Sequence, residues 1–368
     1  MGAVGFALAS PPARAHEPRP VQRSHASRRR HCLVSRPAHE QELVVSRAVD
    51  VPRNPIGVHA LVFAGDFSGR AGCDAAVSGA QRTGYDLLEV PLMDNANMQF
   101  DMLASMTQRA GLQVSCSLGL SDQDDISSSD ADTVHRGQVR LLNAVDRAAQ
   151  LGADTLTGCV YSKLGRYTQP RSQKGMENCI CVLQRVAEKC RANGMRLGIE
   201  PCNRYETNVV NTVHDALELI DKVDPASKDA QSNVFVHGDI YHMRIEEMDI
   251  GAAIQQASNA GRLGYIHLGA SHRGKLGTGV GAAMDLNVLF AALAAVGYSG
   301  PLVFESFSRR IVQADLSSVL CIWREMWRDS DELASGAHDL ITQMWSSAVR
   351  LQHSIREVPP TMTTDAGI

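Results

Sequence analysis

The ten residues Gly198-Ile199-Glu200-Pro201-Cys202-Asn203-Arg204-Tyr205-Glu206-Thr207 gather two carboxylates, an amide and a guanidinium directly after an apolar run, Met195 to Ile199. That run reads as a buried strand, and Glu200 falls at its C-terminal end, where parallel barrels and open sheets place their chemistry. So much polarity at a strand end points to a ligand. The pattern recurs three times downstream: Asp239 closes VFVHGD, His267 lies in GYIHL and Glu305 closes PLVFE. Three carboxylates and one imidazole form a hard, oxygen-rich donor set. It suits Mn²⁺, Mg²⁺ or Co²⁺ better than a structural zinc, which prefers sulfur and a closed tetrahedral site. A second polar group follows each of the first three: Glu206 six positions beyond Glu200, His242 three beyond Asp239, and Arg273 six beyond His267. Groups of this kind on the following loops can grip the hydroxyls of a polyol.

Holding four such residues around one point requires a particular scaffold. From Ile56 onward, short apolar runs alternate with longer stretches of helical period. Strands are predicted over Ile56–Phe63, Leu87–Leu92, Gln113–Leu118, Thr155–Val160, Arg196–Glu200, Asn233–Gly238, Gly264–Leu268 and Pro301–Glu305. Helices are predicted over Asp74–Thr83, Gln99–Ala110, Val134–Leu151, Gly175–Asn193, Val213–Val223, Ile250–Ala260 and Leu286–Val296. After Ser308 come Leu316–Met326 and Glu332–Leu351, enough for an eighth helix and one extra C-terminal helix. Gly84, Gly111, Gly152, Gly194 and Gly297 sit where left-handed helix caps are needed. Eight alternations predict an α/β fold, a (β/α)₈ TIM barrel with an extra C-terminal helix, spanning residues 55–352. Residues 353–368 read as a flexible tail.

Composition narrows the function. The chain has 368 residues, 44% of them apolar, ample for a large core, and a formal charge of −4. No general basic field is available to hold nucleic acid, and no apolar run approaches the length of a membrane span. Nine cysteines are scattered without a CxxC pair, as expected of small buried residues in a reduced compartment; Cys202 alone lies inside the site motif. The glycine-rich stretch Gly274-Lys275-Leu276-Gly277-Thr278-Gly279-Val280-Gly281 lacks the Lys-Ser ending of a P-loop and reads as a loop over the site. Residues 1–50 differ from the rest: Arg14, Arg19, Arg23, Arg28, Arg29, Arg30 and Arg36 accompany Ser, Ala and Pro, and Glu17 is the only acid before Glu40. This is the composition of a disordered leader, a transit peptide for chloroplast or mitochondrion, with cytoplasmic residence the alternative.

Over about Ile56 to Leu351 the chain resembles the xylose-isomerase-like barrels and, within them, the ketose 3-epimerases of the D-tagatose and D-psicose type. The carriers are GIEPCNRYETNVVNT at 198–212, DIYHMRIEE at 239–247, YIHLGASHRG at 265–274 and LVFESF at 302–307. The resemblance implies that Glu200, Asp239, His267 and Glu305 bind one divalent ion, Mn²⁺ first, and that Glu206, His242 and Arg273 contact substrate hydroxyls. It further implies that Glu200 and Glu305 are the acid and base that invert C3 of a free ketose through an enediolate, in a homodimer or homotetramer. Two carboxylates flanking a planar intermediate can invert a centre, whereas a single base returns the proton to the side it came from. The chain departs from the pattern at Ala270, where the family usually has Glu, which bears on the choice of sugar. Aldose-ketose or hydroxypyruvate isomerisation on the same site is the alternative reaction, and dehydration of an inositol-derived ketone a third. A metal-dependent endonuclease of the same barrel type would require more histidines and a cationic face.

Overall fold

The computed structural model describes residues 53–92, 97–225, 232–279 and 281–357, all within one compact unit, Ala48–Ile368. The leader expected over 1–50 and residues 358–368 of the expected tail lie outside the described residues. Eight parallel strands close into a barrel in sequence order: β1 (Ile56–His59), β2 (Leu87–Pro91), β3 (Gln113–Ser117), β4 (Thr155–Thr157), β5 (Arg196–Ile199), β6 (Val234–Asp239), β7 (Leu263–Leu268) and β8 (Leu302–Phe304). Covered by helices outside and by one another inside, β2, β4, β6 and β8 are buried along their whole length, which is why they read as near-continuous apolar runs.

The helices are α1 (Arg70–Arg82), α2 (Phe100–Ala110), α3 (Ala131–Gln150), α4 (Gln173–Ala192), α5 (Val213–Val223), α6 (Ile240–Glu246), α7 (Ile250–Asn259), α8 (Ala282–Ala295), α9 (Ala314–Val319) and α10 (Ser330–Glu357). Side-chain caps set the starts of several: Asp130 accepts from Thr133 N–H, Ser172 from Gly175 N–H, and Thr212 and Asp215 form a reciprocal capping box on α5. The five expected capping glycines all take positive φ, from 67° at Gly297 to 84° at Gly84.

Four local differences from the sequence reading have physical causes. The first strand stops at His59, not Phe63, because the His59 ring accepts from Leu61 N–H and starts a 3₁₀ turn over Ala60–Val62. The short helix α6 was not foreseen; the Asp239 side chain caps it by accepting from Tyr241 N–H. The helix expected over Leu316–Met326 is only α9, and the chain turns away at Cys321, which has a φ of 55°. Finally, α10 runs through Glu357, so residues 353–357 are helical, not tail.

Inside the barrel the two-residue repeat of a strand stacks residues in layers. Leu87, Phe235, Tyr265 and Val303 form a separate apolar plug in the lumen. Two residues further along the same strands come Glu89, His237, His267 and Glu305, and Asp239 follows two beyond His237. The plug is accommodated by small residues opposite it: a Cβ at Gly198 would lie 2.2 Å from Thr157 Oγ1 and 2.9 Å from the Phe235 ring. The β6–β7 ladder contains one irregularity: Val236 pairs with Leu263 but His237 pairs with Tyr265, so Gly264 is extra on β7. Beyond it Asp239 and His267 are direct neighbours.

Candidate active site

The four strand-end residues anticipated from sequence converge at the C-terminal mouth of the barrel. Glu200 follows β5 directly, Asp239 ends β6, His267 is the penultimate residue of β7 and Glu305 follows β8. All four are buried. His267 Nδ1 lies 3.5 Å from Glu305 Oε1 and 3.8 Å from Glu200 Oε1. Ligand atoms of Asp239, His267 and Glu305 lie within 4.8 Å of one another, as do those of Glu200, His237 and His267. Two of these atoms, Asp239 Oδ2 and His267 Nδ1, are buried without a hydrogen-bond partner. Buried polar atoms are normally satisfied, so two orphans aimed into one cluster of carboxylates fit a site that holds a divalent cation.

Glu206, His242 and Arg273 surround this cluster, as their spacing suggested. His242 Nε2 stands 3.8 Å from Glu200 Oε1 and 3.6 Å from Asp239 Oδ2, while its Nδ1 accepts from Asn203 N–H at 3.0 Å. Arg273 Nη1 binds Glu305 Oε2, and Nη2 is 3.5 Å from Glu206 Oε1. The guanidinium is clamped between rings, 3.6 Å from the centroid of Tyr241 and 5.0 Å from that of Phe307. Its backbone takes a φ of 60°, which a non-glycine residue adopts only when its surroundings hold it there.

The electrostatics are those of carboxylates crowded away from water. Burial, reinforced by Asp239 and Glu89, pushes Glu305 up to about 7, against the pull of His267 and Arg273. Burial likewise raises Glu200 well above the usual carboxylate range, and raises Asp239. Burial lowers His267, yet Glu89, Glu305 and Glu200 more than offset it and hold the imidazole up at about 10. Its hydrogen bond with Cys159 drives the Cys202 thiol up, together with burial, so Cys202 is a buried neutral wall residue that donates to the Glu200 carbonyl at 3.5 Å.

Sequence reasoning missed the groups beneath the mouth. Glu89 on β2 is fully buried and its Oε2 accepts from His267 Nε2 and from the Tyr265 hydroxyl, each at 2.7 Å. His59 Nε2 stands 3.6 Å from Glu89 Oε1, and the His237 ring packs edge-on against His267 at 4.1 Å. The signal was present: Glu89 interrupts the apolar run LLEVPL, and a carboxylate in the middle of a covered strand needs partners. The cavity over the site has an apolar wall of Leu61, Leu118, Leu164, Phe307, Leu316 and Leu320, and among its described lining residues Arg273 is the one Lys or Arg side chain.

A closed (β/α)₈ barrel with this cluster at its C-terminal mouth defines a barrel enzyme with its site at the strand ends. The chain belongs to the xylose isomerase-like TIM barrel family, whose model matches residues 77–331. It is 40% identical over 289 residues to the L-ribulose 3-epimerase of Methylomonas sp. (strain DH-1), covering 78% of this chain and 97% of that protein. It is 41% identical over 286 residues to the ketose 3-epimerase of Arthrobacter globiformis, covering 78% and 95%. The crystal structure of D-allulose 3-epimerase from Methylomonas sp. in complex with D-allulose superposes with a TM-score of 0.74 at 40% identity, covering 80% of this chain and 98% of that one.

Proposed function

We propose that this protein is a divalent-metal-dependent ketose 3-epimerase that inverts C3 of an unphosphorylated ketose, with Mn²⁺ as the preferred ion. The observation that carries the reading is the placing of Glu200 and Glu305: two buried carboxylates, both raised toward neutrality by burial, reach the same His267 Nδ1 from separate strands. Such a pair can hold one proton and lack the other near neutral pH, as proton removal on one face of a carbon and delivery on the other require. Glu200, Asp239, His267 and Glu305 would hold the cation, which would polarise the ketose carbonyl as a Lewis acid and stabilise the negative charge of the enediolate. Glu206, His242 and Arg273 orient the hydroxyls, and Arg273 keeps Glu305 aimed inward through its ion pair. The apolar wall would face the part of the sugar away from the cation. A phosphorylated sugar would need more cations than Arg273, which is already paired with Glu305 and Glu206.

The relatives' activities support the choice of reaction, as L-ribulose and D-allulose are both ketoses. The test is incubation of the purified Mn²⁺ protein with ketopentoses and ketohexoses in heavy water. The expected product is the C3 epimer carrying deuterium at C3; an aldose with no C3 epimer would establish isomerisation instead. Glu305→Gln keeps the shape and removes the base, and its turnover should fall by at least about 10²–10⁴-fold; parent-like conversion would refute the role of Glu305. The expected homodimer or homotetramer is supported by exposed Tyr205, Ile245 and Met248, carried on segments joined by the Arg204–Glu246 ion pair, and is read by light scattering.

A further inference from the structure

Among the described residues, Glu89 is a carboxylate on β2 that lies beside His267 and outside the candidate ligand groups. It is fully buried. An isolated carboxylate in such a place is costly, so its partners explain its presence. One oxygen, Oε2, accepts from Tyr265 Oη–H and faces His267 Nε2, both at 2.7 Å, and the Tyr265 hydroxyl is itself 2.7 Å from Ser115 Oγ. An oxygen that already accepts from Tyr265 Oη–H and lies 2.7 Å from a ring nitrogen is the acceptor of that contact too, so the facing Nε2 of His267 carries the proton. The opposite nitrogen, Nδ1, is then the one whose proton a cation would displace, and it is the buried atom without a hydrogen-bond partner lying 3.5 Å from Glu305 and 3.8 Å from Glu200. The His237 ring packs edge-on against the imidazole at 4.1 Å.

We propose that Glu89 is a positioning residue of the metal centre: it fixes His267 with its Nε2–H toward the barrel floor and Nδ1 toward the cation. The proposal rests on the metal-dependent reading above and adds to it a residue that touches neither ion nor sugar. Orienting partners of this kind typically contribute about 10–100-fold to metal affinity.

The test is calorimetric titration of metal-free protein with Mn²⁺ alone, for the parent, Glu89→Gln and Glu89→Leu. The amide oxygen of Gln can still accept from Nε2–H, whereas Leu fills the space and accepts nothing. The expected result is a loss of about 10–100-fold in Mn²⁺ affinity for Glu89→Leu, with Glu89→Gln retaining most of the parent's affinity. A folded Glu89→Leu that binds Mn²⁺ as tightly as the parent overturns the proposal, and so does an equal loss in both variants, the pattern of a merely structural role. A parent that binds no Mn²⁺ overturns the metal-dependent reading itself and this inference with it; a parent that binds and epimerises while Glu89→Leu binds normally defeats this inference alone. Should Glu89→Leu fail to fold, long-range ¹H–¹⁵N spectra of the histidine-labelled Mg²⁺ parent decide, with His267 assigned by its loss in His267→Gln. The Nε2–H tautomer is expected, and an Nδ1–H tautomer overturns the proposal.

Discussion

Asp239 divides its two oxygens between structure and chemistry. Oδ1 accepts from Tyr241 N–H and starts α6, while Oδ2 is left buried at the site without a hydrogen bond. This economy explains why the ligand candidates were readable from sequence: each stands within one residue of the end of a largely apolar strand, so its type and position coincide. Glu89 and His59 were not readable in that way, because they lie within apolar runs and their partners arrive from β7 and β2, distant in sequence. His59 also yields a stability prediction. Burial lowers its pKa from 6.5 to about 4, the neighbouring positive charges adding to this and Glu89 opposing it. A depressed pKa means that the folded state resists protonation; the stability it contributes is present above pH 6.5 and is lost as pH falls toward 4. His59→Asn can still accept from Leu61 N–H but does not titrate. Between pH 6.5 and 4 the parent's Tm should therefore fall relative to that of the variant; parallel curves would contradict the assignment.

Among the elements, all eight strands and the long helices were foreseen to within a few residues, because period two and period 3.6 differ most where segments are buried on one face or on both. The short helix α6 escaped, since its existence depends on a side-chain cap at Asp239 and not on periodicity, and α9 stops short of its expected end because the chain turns left-handed at Cys321. Strand β5 carries the sharpest test of packing. Gly198 sits two residues before Glu200, and an added methyl there would press on Thr157 and Phe235. Gly198→Ala should cost about 1–3 kcal/mol of unfolding free energy through overpacking, measured by urea titration. Because the strand must shift to relieve the clash, the same variant should also bind Mn²⁺ more weakly.

At the level of the whole molecule, the barrel brings buried like charges together, and folding must bear that repulsion. Burial raises Glu200, Asp239 and Glu305, so the site without a cation is a source of instability. A cation that binds only the folded state should relieve it: at 100 times its Kd it would add about 2.7 kcal/mol, and each kcal/mol corresponds to roughly 2–4 °C in a domain of this class. Scanning calorimetry with EDTA and then with excess Mn²⁺ should show that rise; identical Tm values would argue against a resident ion. The extra Gly264 in the β6–β7 ladder carries a final implication for how such chains can diverge. Facing direction along a strand is a matter of odd and even, and this one supernumerary residue sets the parity that turns Tyr265 and His267 inward together beside Asp239. Descendants are free to swap side chains here, but gaining or losing a single position between 264 and 267 would point the imidazole at the helices. Sequences that keep this chemistry should therefore align through β7 without a gap.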